Sequence, residues 1–347
     1  MAKSKIYAVD LFCGVGGLSY GLKTSGIKVV AGYDLDASCQ ATYEANVGAP
    51  FIEADIRALK GRDINAHYPP GAVRLLAGCA PCQPFSRHMR GADTSGDEKW
   101  SLLDEFLRLV RSVGPELVTM ENVAPLRSTV VFKRFVSGLE RAGYWVQNRS
   151  CYAPRFGLPQ HRRRLVLVAS KLGELEKLPD LLPKGAPLPT VRQAIGSLPK
   201  VASGEQCAAD PLHKARALTE INLKRLRASK PGGTWRDWPE SLRAPCHTRA
   251  SGSTFQSVYA RMAWDEPAPT ITTQAFNFGT GRFGHPEQDR AITLREAAVL
   301  QGFPKTYQFV RPDEVVVFTS LGKHIGNAVP PPLGEAVGRH FLNHIAN

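Results

Sequence analysis

Residues 78–87 read GCAPCQPFSR, with Cys79 and Cys82 three positions apart. Such a pair can be half of a zinc site, a redox couple, or one reactive thiol beside an inert neighbour. No second C-x-x-C completes a four-ligand set, so no metal is expected. Cys82 sits between Pro81 and Gln83-Pro84, a stiff setting for a nucleophile. A cysteine attacks as its thiolate, which nearby positive charge favours. Three further residues have the types such chemistry needs: Glu121 in MENV (120–123), and Arg162 and Arg164 in QHRRR (160–164). A carboxyl can hold or pass a proton, and guanidinium groups can steady developing negative charge.

These residues can act together only if the fold brings them to one place. Buried-strand runs are expected at 5–12, 27–36, 51–56, 73–79, 116–121, 144–151 and 164–169. Helical patterns alternate with them, at 37–46, 100–112 and 131–142 and after the glycine-rich turn at 14–17. Repeated βα units predict an α/β fold, a mostly parallel sheet with helices on both faces. In such a sheet ligands bind at the carboxyl ends of the strands. Cys82 follows one strand and Glu121 ends another. Arg162 and Arg164 fall on one side if their run is extended.

The turn DLFCGVGG (10–17) leads from a strand into a helix, as a ligand loop does. Ser19 stands where the third glycine of G-x-G-x-x-G belongs, and no G-x-x-x-x-G-K-[ST] occurs, so a phosphate cradle is disfavoured. The next strand ends in GYDLD, where Asp34 or Asp36 can accept both ribose hydroxyls, and Asp55 follows a third strand. A nucleoside cofactor without phosphate, such as S-adenosylmethionine, fits this set. Glycines serving only a tight turn are the plainer reading.

The chain has 347 residues, 43 % hydrophobic and 22 % charged, enough for a sizeable core. Its net charge of +13 favours a polyanionic partner, and nucleic acid leads. No stretch of about 18 apolar residues predicts a membrane span, and the basic, strand-like start is not read as a signal peptide. Seven scattered cysteines suit reduced thiols in the cytoplasm. Three parts are expected: a catalytic and cofactor-binding domain over 1–170, an irregular Pro/Gly-rich domain over 171–290, and a C-terminal segment over 291–347. The last helix, 327–346, should pack back on the first part.

The ordered motifs DLFCGVGG, GCAPCQPFS, MENV, QHRRR, REAAVLQGFP and GNAVPPPLGEAVG strongly resemble the bacterial-type DNA cytosine-5 methyltransferases. The resemblance runs from residue 6 to about 342, except for an irregular block between about 171 and 265, where the family keeps its variable target-recognition domain. It implies a Rossmann-like S-adenosylmethionine-dependent fold. Cys82 is then the nucleophile toward C6 of a flipped-out cytosine, and Glu121 holds N3 and the exocyclic amine. Arg162 and Arg164 steady the base carbonyl and the active-site loop. On the cofactor side Phe12 and Leu35 flank the adenine, Asp34 binds the ribose, Asp55 the adenine amine, and Ile56 supplies backbone contacts. Gly14, Gly16, Pro81, Leu102, Asn327 and Val329 line the methionine end. Leu35 departs from the family, where this site is often aromatic, and Cys13 occupies a position that varies among small residues.

DNA contacts are expected at Ser86, Lys224, Arg225, Arg227 and Arg236, with WRDW (235–238) and residues 270–288 as places for base or phosphate contacts. For Lys224, Arg225 and Arg227 a solvated helix face is the competing reading. The partner implied is double-stranded DNA, the chain is expected to be a monomer near the bacterial nucleoid, and a restriction-modification or other defence role follows from the resemblance. An RNA cytosine-5 methyltransferase would carry a Cys-Phe-Thr element, which is absent. A non-catalytic DNA-binding module would have no need of both Cys82 and Glu121. A nicotinamide dehydrogenase would want the complete glycine fingerprint.

Overall fold

The computed structural model describes residues 5–81, 101–249, 257–311 and 314–346. Cys82 and Ser86 lie outside the described residues.

The first unit comprises residues 1–156, 163–183 and 329–347. It is built on β1 (Ile6–Leu11), α1 (Gly17–Ser25), β2 (Lys28–Asp34), α2 (Gln40–Val47), β3 (Phe51–Glu53), α3 (Gly61–Asn65) and β4 (Val73–Gly78). α4 (Ser101–Val113), β5 (Leu117–Val123), α5 (Val130–Arg141), β6 (Trp145–Tyr152) and β7 (Arg163–Ser170) follow. The strands form one sheet in the order β3-β2-β1-β4-β5-β7-β6. Pairing is parallel from β3 through β5, and antiparallel for β5 with β7 and for β7 with β6. From β1 the chain winds outward first to β2 and β3, then from β4 to β5. With right-handed crossovers this reversal puts α1 and α2 on one face and α4 and α5 on the other.

The sheet forms where the sequence gives continuous apolar runs. Val9, Leu11, Leu76, Val118, Met120, Leu165 and Leu167 are buried in one core with Phe106 and Phe135. The strand residues between them, Ala8, Leu75, Leu117, Val166 and Val168, point to the other face and are buried as well, the pattern of strands covered on both faces. Thr129 caps α5 by accepting the N–H of Phe132 at 3.2 Å.

The second unit comprises residues 157–162 and 184–328. Its regular elements are short: α6 (Val191–Ile195), β8 (Gln206–Cys207), β9 (Asp210–Lys214), α7 (Glu220–Ala228), α8 (Pro245–Thr248), α9 (Leu294–Leu300) and α10 (Phe318–Asn327). Buried arginines take over the hydrogen bonding that ladders provide elsewhere. Arg261 donates to the carbonyls of Leu226, His285 and Gln288, and Arg290 to those of Val201 and Ala291. A small apolar cluster of Leu226, Trp235, Trp238, Phe278 and Ala291 completes this unit.

This division departs from the expected boundaries. The first unit keeps residues 171–183, and residues 291–328 belong to the second unit, not to a separate C-terminal segment. After α10 the chain re-enters the first unit with α11 (Pro331–Ala346), which packs along α1.

Candidate active site

The loop after β1 is shaped by left-handed backbone at Gly14 (φ 49°) and Gly16 (φ 87°), with Phe12 held at φ 59°. Gly16 is the N-cap of α1 and supplies no side-chain cap of its own. Asp34, at the end of β2, clasps this loop. Its Oδ2 accepts the Gly14 N–H at 2.8 Å and its Oδ1 the Asp36 N–H at 2.9 Å. Ser19, the residue that breaks the glycine fingerprint, is buried and donates to Asp10 Oδ2 at 2.6 Å. Asp10 Oδ1 is buried without a hydrogen bond, and burial pushes this carboxyl up to about 7.

The other expected cofactor residues fall into place around that loop only in part. Leu35 is 64 % exposed beside Asp34, and Phe12 is half-buried against the core. Ala54 donates to the Asp34 carbonyl at 2.9 Å, which brings Asp55 to the same edge. Asp55 is gripped by Arg57, whose hydrogen bonds hold its carboxyl below the usual range. Ile56 is buried, and its carbonyl accepts from Arg108 at 3.1 Å. Pro81 is exposed and Leu102 half-buried. Asn327 ends α10 in the second unit, while Val329 is buried in the first.

This loop fits a phosphate-free nucleoside with an amino-acid tail. Its acids suit hydroxyl, amine and sulfonium groups, and its left-handed glycines let a ligand lie close to the backbone.

Glu121 stands in β5, 5 % exposed. Parallel pairing of Gly78 with Met120 carries Cys79 alongside it, and Cys79 Sγ donates to Glu121 Oε2 at 3.1 Å. Burial and the Glu121 charge push the Cys79 thiol well above its ordinary value, so it stays protonated. Arg164 enters from the antiparallel strand β7, opposite Val123, and its Nε lies 3.0 Å from Glu121 Oε1. This is a charge contact out of line for a hydrogen bond, because Oε1 lacks a donor. One oxygen of the carboxyl is therefore held by a thiol, and the other meets a guanidinium without an in-line hydrogen bond.

Arg162 behaves differently from Arg164. The run QHRRR divides between the units, with Gln160 and Arg162 in the second. Arg162 is buried and donates to the carbonyls of Ile271 at 3.1 Å and Gly326 at 3.2 Å. Gln160 binds the carbonyl of Leu300 and the side chain of Gln301. Within its own unit Arg162 joins loops far apart in sequence.

The expected DNA contacts change character. Lys224 pairs with Glu220 at 2.8 Å, and Arg227 with Asp289 at 3.0 Å. Arg225 donates to the Leu242 carbonyl and lies over the Tyr259 ring, so it braces its own unit. Arg236 lies over the Trp235 ring, 5.5 Å from its centroid. The tryptophans of WRDW are not surface platforms. Trp235 and Trp238 are 5 % and 3 % exposed, and His247 stacks on Trp235 with centroids 4.5 Å apart. Among residues 270–288, Phe276, Phe278 and Phe283 are likewise core, while Thr270, Thr272 and Thr280 are exposed. One H-x-x-x-H spacing does occur, His340 with His344 in α11, although none was expected to supply further metal ligands. Their Nε2 atoms meet the Glu176 carbonyl and the Ser170 hydroxyl, which accounts for both as structural contacts.

A doubly wound sheet with a glycine turn suited to a nucleoside and a carboxyl–guanidinium pair across β5 and β7 fits a methyltransferase of the Rossmann-like class. The profile for C-5 cytosine-specific DNA methylase matches residues 6–343, and the chain belongs to that family of S-adenosylmethionine-dependent enzymes. It is a DNA cytosine-5 methyltransferase. It is 48 % identical to the type II methylase M.HgiDII of Herpetosiphon aurantiacus, over 95 % of this chain and 93 % of that protein. It is 31 % identical to the type II methyltransferase M1.HphI of Haemophilus parahaemolyticus, over 98 % and 87 %. Its fold matches a chain described as a DNA modification methyltransferase encoded within an E. coli prophage, with TM-score 0.75, 21 % identity and coverage of 99 % and 100 %. No helix among the described residues is long and apolar enough to cross a membrane.

Proposed function

We propose that the enzyme methylates C5 of a flipped-out cytosine within one short duplex sequence, through a covalent bond from Cys82 to C6, as the modification half of a type II restriction-modification system. The observation that carries this reading is the Glu121 carboxyl, flanked by Arg164 and Cys79 on the sheet edge that also bears the Asp34-clasped glycine loop. S-adenosylmethionine supplies an electrophilic methyl group when bound. Asp34 and Asp55 would hold its ribose and adenine amine, and the Gly14–Gly16 loop its methionine end.

Cytosine C5 is too weak a nucleophile to act unaided. Addition of the Cys82 thiolate at C6 pushes electron density toward N3 and leaves C5 enamine-like. Glu121 shares a proton with N3 and accepts from the exocyclic amine, so the ring does not carry the full negative charge. Arg164 faces Glu121 and the base carbonyl. After C5 takes the methyl group, a base takes the C5 proton, and the C–H electron pair restores the C5–C6 double bond and expels the Cys82 thiolate. The ring must leave the base stack for these groups to reach it, at a cost of a few kcal/mol.

The second unit is assigned to target recognition. Its exposed threonines at 270, 272 and 280 are better placed for DNA than its buried tryptophans. A type II role is supported by the two relatives, both named type II enzymes. A bacterial cytoplasmic monomer, close to the nucleoid through DNA, is the setting this reading implies.

The test is methyl transfer from labelled S-adenosylmethionine to mixed-sequence duplex DNA, wild type beside Cys82→Ala, with modified bases mapped. Label on cytosine C5 in one motif, absent from the variant, is expected. Label spread without sequence preference would remove the type II assignment, and label retained by Cys82→Ala would remove the covalent mechanism.

A further inference from the structure

We propose that Cys79 is a positioning residue for the Glu121 carboxyl, its thiol fixing the orientation in which the opposite oxygen faces Arg164 and the base. The inference rests on the reading of Glu121 as the group that holds cytosine N3.

Three contacts bring the thiol there and keep it there. The parallel register of β4 with β5 sets Gly78 against Met120, so Cys79 and Glu121 emerge side by side. The Cys79 N–H donates to the Leu11 carbonyl on β1 at 3.3 Å, and Asn122 Nδ2 donates to the Ala80 carbonyl at 2.9 Å. Cys79 is thus tied on one side to the strand bearing the glycine loop and on the other to the strand bearing the carboxyl. Its Sγ then reaches Glu121 Oε2 at 3.1 Å.

The choice of a thiol has a chemical consequence. A strong donor aimed at a carboxylate favours its charged form. Glu121 has to carry a proton at N3 during turnover, and with the Arg164 guanidinium already 3.0 Å away a second strong, permanent donor would oppose that task further. A thiol is a weak donor. It orients the carboxyl while contributing little to the balance between the two protonation states. Its own proton is secure, because burial and the adjacent acid both disfavour the thiolate. Cys79 therefore takes no covalent part, and the two cysteines of C-A-P-C divide into a positioning thiol and a nucleophile.

The experiment compares kcat, KM for DNA and the pH–rate profile of wild type, Cys79→Ala, Cys79→Ser and Glu121→Gln, in the full chain with duplex DNA and S-adenosylmethionine. Cys79→Ala is expected to lower kcat by about fivefold to tenfold with KM for DNA unchanged, the loss of one modest hydrogen bond. Cys79→Ser keeps a donor and recovers part of the rate near neutrality. The pH–rate profiles of both Cys79 variants are expected to part from that of wild type. Unchanged kcat and coincident pH profiles in both Cys79 variants, with Glu121→Gln inactive, would overturn the positioning role and leave the Glu121 reading intact. An active Glu121→Gln would overturn both.

Discussion

The carboxylate of Asp34 accepts the backbone N–H of Gly14 at 2.8 Å and that of Asp36 at 2.9 Å, so one side chain joins the glycine loop to the end of the neighbouring strand. The residue assigned to the ribose therefore also shapes the loop assigned to the methionine end. Removing it should damage both. Asp34→Ala is expected to weaken S-adenosylhomocysteine binding by roughly 10- to 100-fold, on the scale of a hydrogen bond to a charged group plus loop disorder. Asp34→Asn keeps one acceptor for the loop and should lose less. Isothermal titration calorimetry on the full chain separates the cases, and equal affinity in all three proteins would remove Asp34 from the cofactor site.

Arg290 and Glu296 form an ion pair with both side chains at most 1 % exposed, at 2.6 and 2.7 Å. Glu296 Oε2 also accepts the Thr293 N–H at 2.8 Å, which closes the cap of α9. Burial alone would raise this carboxyl, but the Arg290 hydrogen bonds outweigh it and hold it below its usual value. Glu296→Gln leaves a buried guanidinium without its counter-charge, and a loss of about 3–5 kcal/mol is expected. Urea denaturation followed by tryptophan fluorescence reads this directly, because Trp235 and Trp238 report on the same unit. A midpoint within error of wild type would mean that the pair contributes nothing net.

Most of the seven strands were legible because each is a short apolar run bounded by turns, and the observed ends fall close to those expected; β6, WVQNRSCY, is the polar exception at the sheet edge. Direction is not encoded in such a run. The sequence places Arg164 at the start of the strand expected over 164–169, and on a parallel strand it would lie at the edge away from Glu121. The antiparallel pairing of β7 with β5, Val123 opposite Arg164, puts it beside the carboxyl. The second unit was legible only as irregular. Its order comes from bonds such as Arg261 to the Leu226 and His285 carbonyls, between residues that no local periodicity connects. Within WRDW the sequence did not show which residues face solvent: Arg236 is exposed, while Trp235 and Trp238 are buried against Leu226, Phe278 and Ala291, partners far along the chain. The Cys79–Glu121 contact was hidden too, since it needs the β4–β5 register, and Cys79 by itself reads as a small core residue.

Helix α11 approaches α1 so closely that a side chain on Gly21 has no room. A Cβ there would lie 2.2 Å from the Pro331 carbonyl oxygen and 2.7 Å from the Glu335 nitrogen, all rigid backbone. The two helices must separate for any larger residue. Gly21→Ala is expected to cost about 1–3 kcal/mol or more, in spite of alanine's better helix propensity. The midpoint of thermal unfolding should fall by several degrees. A Gly21→Ala protein as stable as wild type would show that α11 does not rest on α1 in solution.

Asp10 gives the first unit a stability that depends on pH. Buried at the end of β1, with Oδ1 lacking a hydrogen bond, its carboxyl is raised from 3.8 to about 7. Between about pH 4 and 7 the folded chain therefore holds a proton that the unfolded chain has released. Stability falls as pH rises through that window, since the unfolded state binds fewer protons there. The penalty is complete above pH 7 and amounts to roughly 4 kcal/mol at most, about three pKa units at 1.36 kcal/mol each. Asp10→Asn has no such proton to lose, and its amide oxygen can still accept from the Ser19 hydroxyl. Urea midpoints of the two proteins from pH 4.5 to 8 should diverge steadily, the variant gaining on wild type up to about neutrality and holding a constant lead beyond it. Parallel curves across the range would mean that Asp10 ionises in the folded protein much as it does in the unfolded one.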